Sequence, residues 1–294
     1  MKKVIARIKG GIGNQLFIYA AARRLAVVND AELVLDHVTG FTRDFRYCRK
    51  YALDRFNVAG RKATAAEQLE PLQRIRRGIL KRMSKRKPFS SRRYIEQEGL
   101  DFDERLLSLK VSRTLFFEGY WQSEGYFKDI ETQIRNELKV TSPSDDQNLK
   151  LAKRIRDSCS VAIHVRWFAA PESNGTSNAP TQYYRRALSV IASKISSPHY
   201  FLFSDDTDAA VQKLELSADQ VTCVGHNRGD EGAFADFWLM QQCKHFITAN
   251  STFSWWTAWL CDRSDKIVVT PKTQCTGEAA WGFRGLLPEQ WIKL

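Results

Sequence analysis

The sequence predicts an α/β protein built on parallel sheets. Three observations indicate this class: a glycine-rich turn between a strand and a helix near the N-terminus, short apolar runs typical of buried strands, and helical segments that alternate with those runs. Continuous apolar strands separated by helices are typical of parallel sheets covered on both faces. With 294 residues, 43% of them hydrophobic, the chain has enough material for one large or two medium domains.

The first element is a strand over residues 4–8, followed by the turn Gly10-Gly11-Ile12-Gly13-Asn14-Gln15 and a helix over residues 16–28. Glycine allows a sharp turn and a close approach of a ligand to the backbone. The N–H groups at the start of the helix favour a phosphate or another oxyanion. The amides of Asn14 and Gln15 add donors and acceptors for a sugar or a diphosphate. We therefore expect Gly11, Gly13, Asn14 and Gln15 to line a ligand cleft.

A dinucleotide site is a second interpretation of the same turn. Gly11 and Gly13 match the first two glycines of the Gly-x-Gly-x-x-Gly fingerprint, and Asp36 ends a second strand (residues 32–36), where a ribose-binding acid belongs. Leu16 takes the place of the third glycine and would crowd the helix against the strand. An NAD(P)-linked oxidoreductase therefore stays open as an alternative.

A basic insertion follows at about residues 72–93, where positions 74–93 hold many Lys and Arg residues and no acid. Apolar residues at helical spacing make part of it amphipathic, which is typical of elements that bind a membrane surface or an anionic partner. A solvated insertion is the alternative, and a non-enzymatic binding module that uses this segment is a third hypothesis for function. The net charge of +12 is consistent with an anionic partner.

The next elements are a strand over residues 114–121, a helix over 126–138, and a polar linker at 141–146. We place the domain boundary in this linker, giving an N-terminal domain of residues 1–143 and a C-terminal domain of residues 144–294. The second domain repeats the α/β alternation, with strands predicted over residues 160–165, 200–203, 221–224, 245–248 and 266–269.

Polar side chains follow the predicted strands of the second domain. Because ligands bind at the carboxyl ends of parallel strands, these residues are the candidate site: His164, Arg166, Ser204, Asp205, Asp206, Asn250, Ser251 and Thr252. The guanidinium of Arg166 can grip a diphosphate with two hydrogen bonds. Ser251 or Thr252 is either an ordinary helix N-cap or part of a phosphate site. Asp205 either caps a helix or accepts a proton from a substrate hydroxyl.

Other classes of site find no support in the sequence. No set of His, Cys and Asp has metal-ligand spacing, and no nucleic-acid-binding motif is present. The N-terminus lacks an apolar signal core, and the six cysteines form no Cys-x-x-Cys pair. We expect a cytoplasmic protein, peripheral at the inner face of a bacterial membrane, with an anionic lipid surface as a partner of residues 74–93.

Three blocks of the sequence resemble the bacterial α-1,2-fucosyltransferases, an inverting family (glycosyltransferase family 11) that also includes the animal galactoside 2-fucosyltransferases. The first block is the glycine turn through Phe17, and the second is Ile163-His164-Val165-Arg166. The third runs from Asp236-Phe237-Trp238-Leu239-Met240 and Cys243 through Asn250-Ser251-Thr252-Phe253-Ser254-Trp255-Trp256. Together the blocks span nearly the whole chain.

The resemblance implies a GT-B-like architecture of two facing Rossmann-type domains. The C-terminal domain would bind GDP-fucose as donor, the N-terminal domain would form the acceptor side, and no metal would be required. Arg166 and the Ser251–Phe253 turn would hold the diphosphate, with His164, Ser204, Asp236 and Asn250 around the nucleotide. Asn14 would reach the reacting groups. The acceptor would be a hydroxyl, O-2 of a galactose-type residue, on a surface polysaccharide, O-antigen or lipid-linked glycan.

One position departs from the family pattern. Trp167, Phe168 and Ala169 stand where the family has a second arginine, a glycine and an aspartate. The change removes a positive charge from the expected site and leaves the general base unassigned. Asp205 is our first candidate for that base, and Glu172 is the second.

Overall fold

The computed structural model describes residues 1–167, 178–272 and 280–294, except for the side chains of Asp230 and Glu231. The chain forms two compact units. Unit 1 comprises Met1–Lys139 and Arg284–Leu286, and unit 2 comprises Val140–Phe283 and Leu287–Leu294. The short return segment of unit 1 is held by hydrogen bonds: the Arg284 backbone N–H donates to Asp101 Oδ1 at 2.9 Å, and its guanidinium donates to the Phe102 carbonyl at 2.8 Å.

Unit 1 contains one five-stranded sheet in the order β3-β2-β1-β5-β4, with every neighbouring pair parallel. Its strands are β1 (Lys3–Arg7), β2 (Glu32–Asp36), β3 (Arg61–Lys62), β4 (Tyr94–Glu96) and β5 (Thr114–Glu118). Its helices are α1 (Ile12–Val28), α2 (Gln73–Lys85) and α3 (Glu131–Glu137).

The glycine turn of unit 1 is shorter than predicted. Gly10 makes the bend with a φ of +78°, and Gly11 is the N-cap of α1, so the helix begins at Ile12. Gly13, Asn14 and Gln15 consequently lie in the first turn of the helix and not in a loop. Most of α1 is apolar and buried around its whole circumference, as expected for a helix enclosed in the core.

Unit 2 contains a six-stranded parallel sheet in the order β11-β10-β9-β6-β7-β8. Its strands are β6 (Ser160–Val165), β7 (His199–Ser204), β8 (Val221–Val224), β9 (His245–Ile247), β10 (Val268–Thr270) and β11 (Ile292–Lys293). Its helices are α4 (Asp146–Asp157), α5 (Thr181–Lys194), α6 (Thr207–Leu214), α7 (Gly229–Gln242) and α8 (Thr252–Leu260). The chain builds outward from β6 in one direction and then from β9 in the other, which is the doubly wound Rossmann order.

The tryptophans of α8 are core residues. Trp255, Trp256 and Trp259 are at most 2% exposed, and their ring centroids lie 5.1–6.1 Å apart. Trp291, just before β11, packs on Trp255 with ring centroids 5.5 Å apart. This cluster fixes the axis of α8 and thereby the direction in which its N-terminus points.

The described cysteines differ in their exposure. Cys48, Cys159 and Cys223 are exposed, whereas Cys243 and Cys261 are buried. Among the helices of the described residues, none is both long and apolar enough to cross a membrane.

Candidate active site

The strand order of unit 2 brings the predicted site residues to one edge of the sheet. β6 lies between β9 and β7, with Ile163 opposite Ile247 and Val165 opposite Ser204. The direction of winding changes between β6 and β9, and doubly wound sheets bind their ligands in the crevice at that point. The segments that follow these three strands therefore share a location where a ligand is expected.

Arg166 and Asp205 form an ion pair at this edge. Arg166 Nη1 contacts Asp205 Oδ2, and Asp205 Oδ1 accepts a hydrogen bond of 3.2 Å from the Trp167 backbone N–H. The two side chains are 30% and 36% exposed, so an anion in solution can reach the guanidinium. The carboxylate thus orients the arginine at the mouth of the crevice.

Ser204 and Asp206 shape the turn beside this ion pair. Ser204 Oγ accepts hydrogen bonds from the Asp206 backbone N–H and from Trp167 Nε1, both at 3.1 Å. Asp206 caps α6, because its Oδ1 accepts from the Ala209 N–H at 3.0 Å. The predicted donor-binding residue Ser204 is thus part of the turn's own hydrogen-bond network.

Trp167, which replaces the second arginine of the family pattern, brings a different cation to this edge. Lys213 Nζ lies 4.5 Å from the centroid of the Trp167 ring, within the range of a cation–π contact. Burial lowers the pKa of Lys213 from its usual value. Sequence reasoning missed Lys213, since a lysine near the end of a predicted helix carries no local signal of a site.

His164 is a buried, neutral side chain. It is 8% exposed, and burial, together with the charge of Arg166, lowers its pKa to about 3. Its ring centroid lies 5.7 Å from that of Phe253, and Phe253 in turn packs edge-on against Phe237 at 5.2 Å. Among the described residues His164 Nδ1 has no hydrogen-bond partner. At neutral pH the imidazole therefore offers hydrogen bonding without charge.

The N-terminus of α8 lies at the same edge, because the helix follows β9. Ser251 is its N-cap, with Oγ accepting from the Phe253 N–H at 3.3 Å, so the ordinary capping role is present. Asn250 is only 3% exposed, and Thr252 begins the helix. The first N–H groups of a helix and its dipole favour a negative charge, so this end is suited to a phosphate.

Asp236 lies on α7, next to Phe237 of the aromatic cluster. Burial raises its pKa to about 7, although a hydrogen bond of 2.8 Å from Asn227 Nδ2 opposes that rise. Asn227 also exchanges hydrogen bonds with Asn148, whose Oδ1 lies 3.0 Å from His226 Nε2. The carboxyl group is therefore held in an amide network, with a pKa raised close to neutral pH.

In unit 1 the residues of the glycine turn divide into structural and accessible groups. Gln15 is 1% exposed, and its amide bonds the carbonyls of Gly10 and Lys50 and the N–H of Ala52, each at 2.8–2.9 Å. The prediction that Gln15 offers its amide to a ligand is therefore wrong, because backbone groups use it fully. Gly13 is buried, whereas Gly11 and Asn14 are partly exposed, and Asn14 Oδ1 accepts from Gln122 Nε2 at 2.7 Å.

Asp36 does not have the surroundings that the dinucleotide interpretation requires. It is 2% exposed, and its carboxylate accepts hydrogen bonds from the Thr39 N–H and hydroxyl and contacts Arg77 Nη2 at 3.4 Å. A ribose cannot displace these partners without opening the end of β2. Leu16, at the third fingerprint position, is fully buried against the sheet.

The structure thus gathers most of the predicted donor-site residues at one edge of unit 2. His164, Arg166, Ser204, Asp205 and Phe253 are linked by direct or shared contacts. Phe168, Ala169 and the alternative base Glu172 lie outside the described residues. Within the described part of the chain, no group of three or more His, Cys, Asp or Glu residues is arranged to hold a metal ion.

Comparison with known proteins covers the whole chain. Residues 3–291 match the model of the family described as "Glycosyl transferase family 11". An α-1,2-colitosyltransferase of Escherichia coli is 26% identical over 301 residues, covering 100% of this chain and 99% of the relative. The O-antigen biosynthesis glycosyltransferase WbnK of E. coli is 28% identical over 313 residues, covering 98% and 99%. Galactoside α-(1,2)-fucosyltransferase 1 of Saimiri boliviensis boliviensis is 24% identical over 178 residues, covering 57% and 46%.

The fold matches solved structures as well. The α-1,6-fucosyltransferase NodZ from Bradyrhizobium, in crystals soaked with GDP-fucose, superposes with a TM-score of 0.52 at 16% identity, covering 88% of this chain and 92% of NodZ. The predicted α/β class, GT-B-like with two Rossmann-type parallel sheets, is confirmed.

Proposed function

The chain belongs to glycosyl transferase family 11, and we propose that it transfers L-fucose from GDP-fucose to O-2 of a galactose-type residue in a surface-polysaccharide or O-antigen acceptor. The match to the family model confirms the resemblance predicted from the three sequence blocks. The chain is a glycosyltransferase of the fucosyl/colitosyl type. The observation that carries the finer proposal is the placement of Arg166 at the switch point of a Rossmann-type sheet: it follows β6, and the neighbouring strand β9 leads into the N-terminus of α8. The relatives named for 1,2-transfer and for O-antigen synthesis support the linkage and the acceptor class.

The proposed reaction is a single displacement with inversion. The acceptor oxygen attacks the anomeric carbon of fucose from the side opposite the diphosphate, the bond from that carbon to the diphosphate breaks, and GDP leaves. Negative charge grows on the leaving group as this happens. The guanidinium of Arg166 and the N–H groups at the start of α8 would stabilise that charge, and removing one such donor commonly costs about 100- to 1000-fold in rate. These groups would act without a metal ion.

The acceptor hydroxyl must lose its proton in the same step, and Asp205 is the candidate base. In the structure its carboxylate is engaged by Arg166 and by the Trp167 N–H. We infer that binding of the donor transfers Arg166 from Asp205 to the diphosphate, which would leave the carboxylate able to accept the proton. His164 is poorly suited to this role, because burial lowers its pKa to about 3 and so makes the imidazole a weak base.

A product assay tests the reaction. The protein is incubated with GDP-L-fucose or GDP-colitose and a panel of galactosides, with and without EDTA, and products are analysed by mass and by linkage NMR. We expect an α-1,2-linked fucosyl product in both EDTA conditions. A product formed only with GDP-colitose, which lacks the 3-hydroxyl of fucose, would replace the donor assignment. Thermal stabilisation by NAD(P) and not by GDP would instead favour the oxidoreductase alternative.

The Arg166→Ala variant tests the site. We expect transfer to fall by about 100-fold or more, while the melting temperature changes little, since a partly exposed ion pair contributes about 1 kcal/mol or less. Arg185→Ala is the matched control, because Arg185 forms an exposed ion pair with Glu215 away from the strand ends. Full activity of Arg166→Ala would contradict the site assignment.

A further inference from the structure

The charged side of helix α2 packs against the sheet of unit 1. Lys81 Nζ lies 2.8 Å from Glu118 Oε2 and 2.7 Å from Glu96 Oε1, and Arg77 contacts Asp36 at 3.4 Å. These cations are only 24% and 12% exposed, and Glu118 is almost completely buried. Ion pairs to three carboxylates therefore fix the rotation of the helix on the sheet of unit 1.

The opposite side of α2 is apolar and open to solvent. Ile75, Ile79 and Met83 are 61%, 54% and 55% exposed, and Leu72 at the N-cap is 56% exposed. Residues spaced by three and four lie on one side of a helix, so these four form a single stripe. An ordinary surface helix has the reverse arrangement, with its apolar stripe toward the core. The orientation of α2 is therefore inverted.

Basic residues surround the apolar stripe. Arg76 and Arg82 flank it on either side by helical geometry, and Arg86 follows at the end of the helix; all three are exposed. No acidic residue occurs between Glu70 and Glu96. A protein partner for this surface would have to combine an apolar groove with carboxylates at its rim. The boundary between the acyl chains and the headgroups of an anionic bilayer matches both features, since it accepts apolar side chains beside negative charge.

We propose that the stripe Leu72, Ile75, Ile79 and Met83, with Arg76, Arg82 and Arg86 beside it, is a docking surface for an anionic phospholipid membrane. The helix lies parallel to the bilayer, with the four apolar side chains in the acyl boundary and the arginines at the phosphates. The ion pairs of Lys81 and Arg77 keep the stripe facing solvent in the unbound protein. The proposal is independent of the reaction that the protein catalyses.

Co-sedimentation with vesicles tests the proposal. The whole chain is mixed with vesicles of phosphatidylcholine alone or with one third phosphatidylglycerol, at low and high NaCl. We expect binding only to the vesicles that contain phosphatidylglycerol, with weakening as salt rises. Ile75→Ser/Ile79→Ser/Met83→Ser and Arg76→Gln/Arg82→Gln/Arg86→Gln should each reduce binding, the latter by about 100-fold at about fivefold per charge.

The control variant Lys150→Gln/Lys153→Gln/Arg186→Gln removes the same charge from exposed positions of unit 2 and should bind like the unaltered protein. Lys81 is left intact in every variant, because its ion pairs hold the helix in place. Failure of the unaltered protein to sediment with phosphatidylglycerol would overturn the proposal, as would equal loss of binding in the control. Self-association that the stripe variant abolishes, measured by sedimentation equilibrium without vesicles, would assign the stripe to a second copy and also overturn it.

Discussion

Arg166 and His164 lie two residues apart at the end of β6, and one is charged whereas the other is neutral. Arg166 is partly exposed and paired with Asp205 at the mouth of the crevice, and a guanidinium is always charged in proteins. His164 is buried beside Phe253 and is neutral with a pKa of about 3. A permanent cation and a neutral imidazole on one strand end can bind a diphosphate without any change of protonation in the neutral range.

Substitution of Asp205 distinguishes its two roles. If Asp205 is the base, Asp205→Asn should lower kcat by about 100-fold or more with little change in the KM for GDP-fucose. If it only positions Arg166, the variant should mainly raise the KM for GDP-fucose. We expect the first result, measured by steady-state kinetics. Asp206→Asn is the control, since an asparagine can still cap α6.

Helix α1 begins at Ile12 because Gly10 and Gly11 complete the turn, and this early start changes the role of the residues behind them. In a loop Gln15 would face a ligand, but in the first helical turn it faces inward to the loop at Lys50 and Ala52. The element boundary, and not the residue type, decides between binding and structure at this position.

Gln15→Met tests that structural role. Methionine fills a similar volume but cannot hydrogen-bond the Gly10 and Lys50 carbonyls or the Ala52 N–H. A buried polar group left without a partner costs about 1–3 kcal/mol, and these three partly buried groups should each cost about 1 kcal/mol. We expect the free energy of unfolding to fall by about 2–4 kcal/mol in urea titrations. Gln133→Met is the control, because the Gln133 amide donates a hydrogen bond to the partly buried Glu137 side chain and not to the backbone. An equal loss there would contradict this account.

The sequence was sufficient to predict the longer elements of both sheets, because they combine apolar strands with marked turns and helix starts. The short strands β3, β4 and β11 were not predicted. Arg61–Lys62 and Ile292–Lys293 have two residues each and lack alternation, so their strand character depends on pairing with longer neighbours. The basic helix was predicted, but its inverted orientation was not, since that depends on the distant acids Asp36 and Glu118.

At the scale of the whole molecule, buried ionisable groups set the pH dependence of stability. Burial lowers the pKa of His164, so the stability it contributes is lost as pH falls from about 6.5 toward 3. Burial raises the pKa of Asp236, so stability is lost as pH rises from about 4 toward 7. The two effects oppose each other between pH 4 and 6.5. In unit 1, Arg7, Lys81 and Tyr94 outweigh the effect of burial and lower the pKa of Glu118 to about 2, so the stability that Glu118 contributes is lost as pH falls from about 4.5 toward 2.

The Asp236→Asn variant tests the contribution of Asp236 to this pH dependence. The amide keeps an oxygen for Asn227 and cannot ionise, so the cost of burying a carboxylate disappears at high pH. We expect no change in melting temperature at pH 4 and an increase of a few degrees at pH 8, at about 2–4 °C per kcal/mol. Thermal scans at pH 4, 6 and 8 measure this, with the exposed Asp219→Asn as control. An increase of equal size at all three values would show that ionisation is not its cause.

The candidate site could be located from sequence because parallel strands place their carboxyl ends together, which is a property of topology. The side-chain contacts within the site could not be predicted from sequence. The pairing of Arg166 with Asp205 and the approach of Lys213 to Trp167 join residues far apart in the chain, through side-chain geometry that no local pattern encodes.

The return of Arg284–Leu286 to unit 1 has a consequence for synthesis on the ribosome. The sheet of unit 1 can assemble early, but the hydrogen bonds of Arg284 to Asp101 and Phe102 form only after nearly all of unit 2 has been translated. Strand β11, which completes the sheet of unit 2, emerges later still. Both units therefore need the last part of the chain, from Arg284 onward, to complete their folds. A ribosome that stalls before Arg284 would leave both units incomplete.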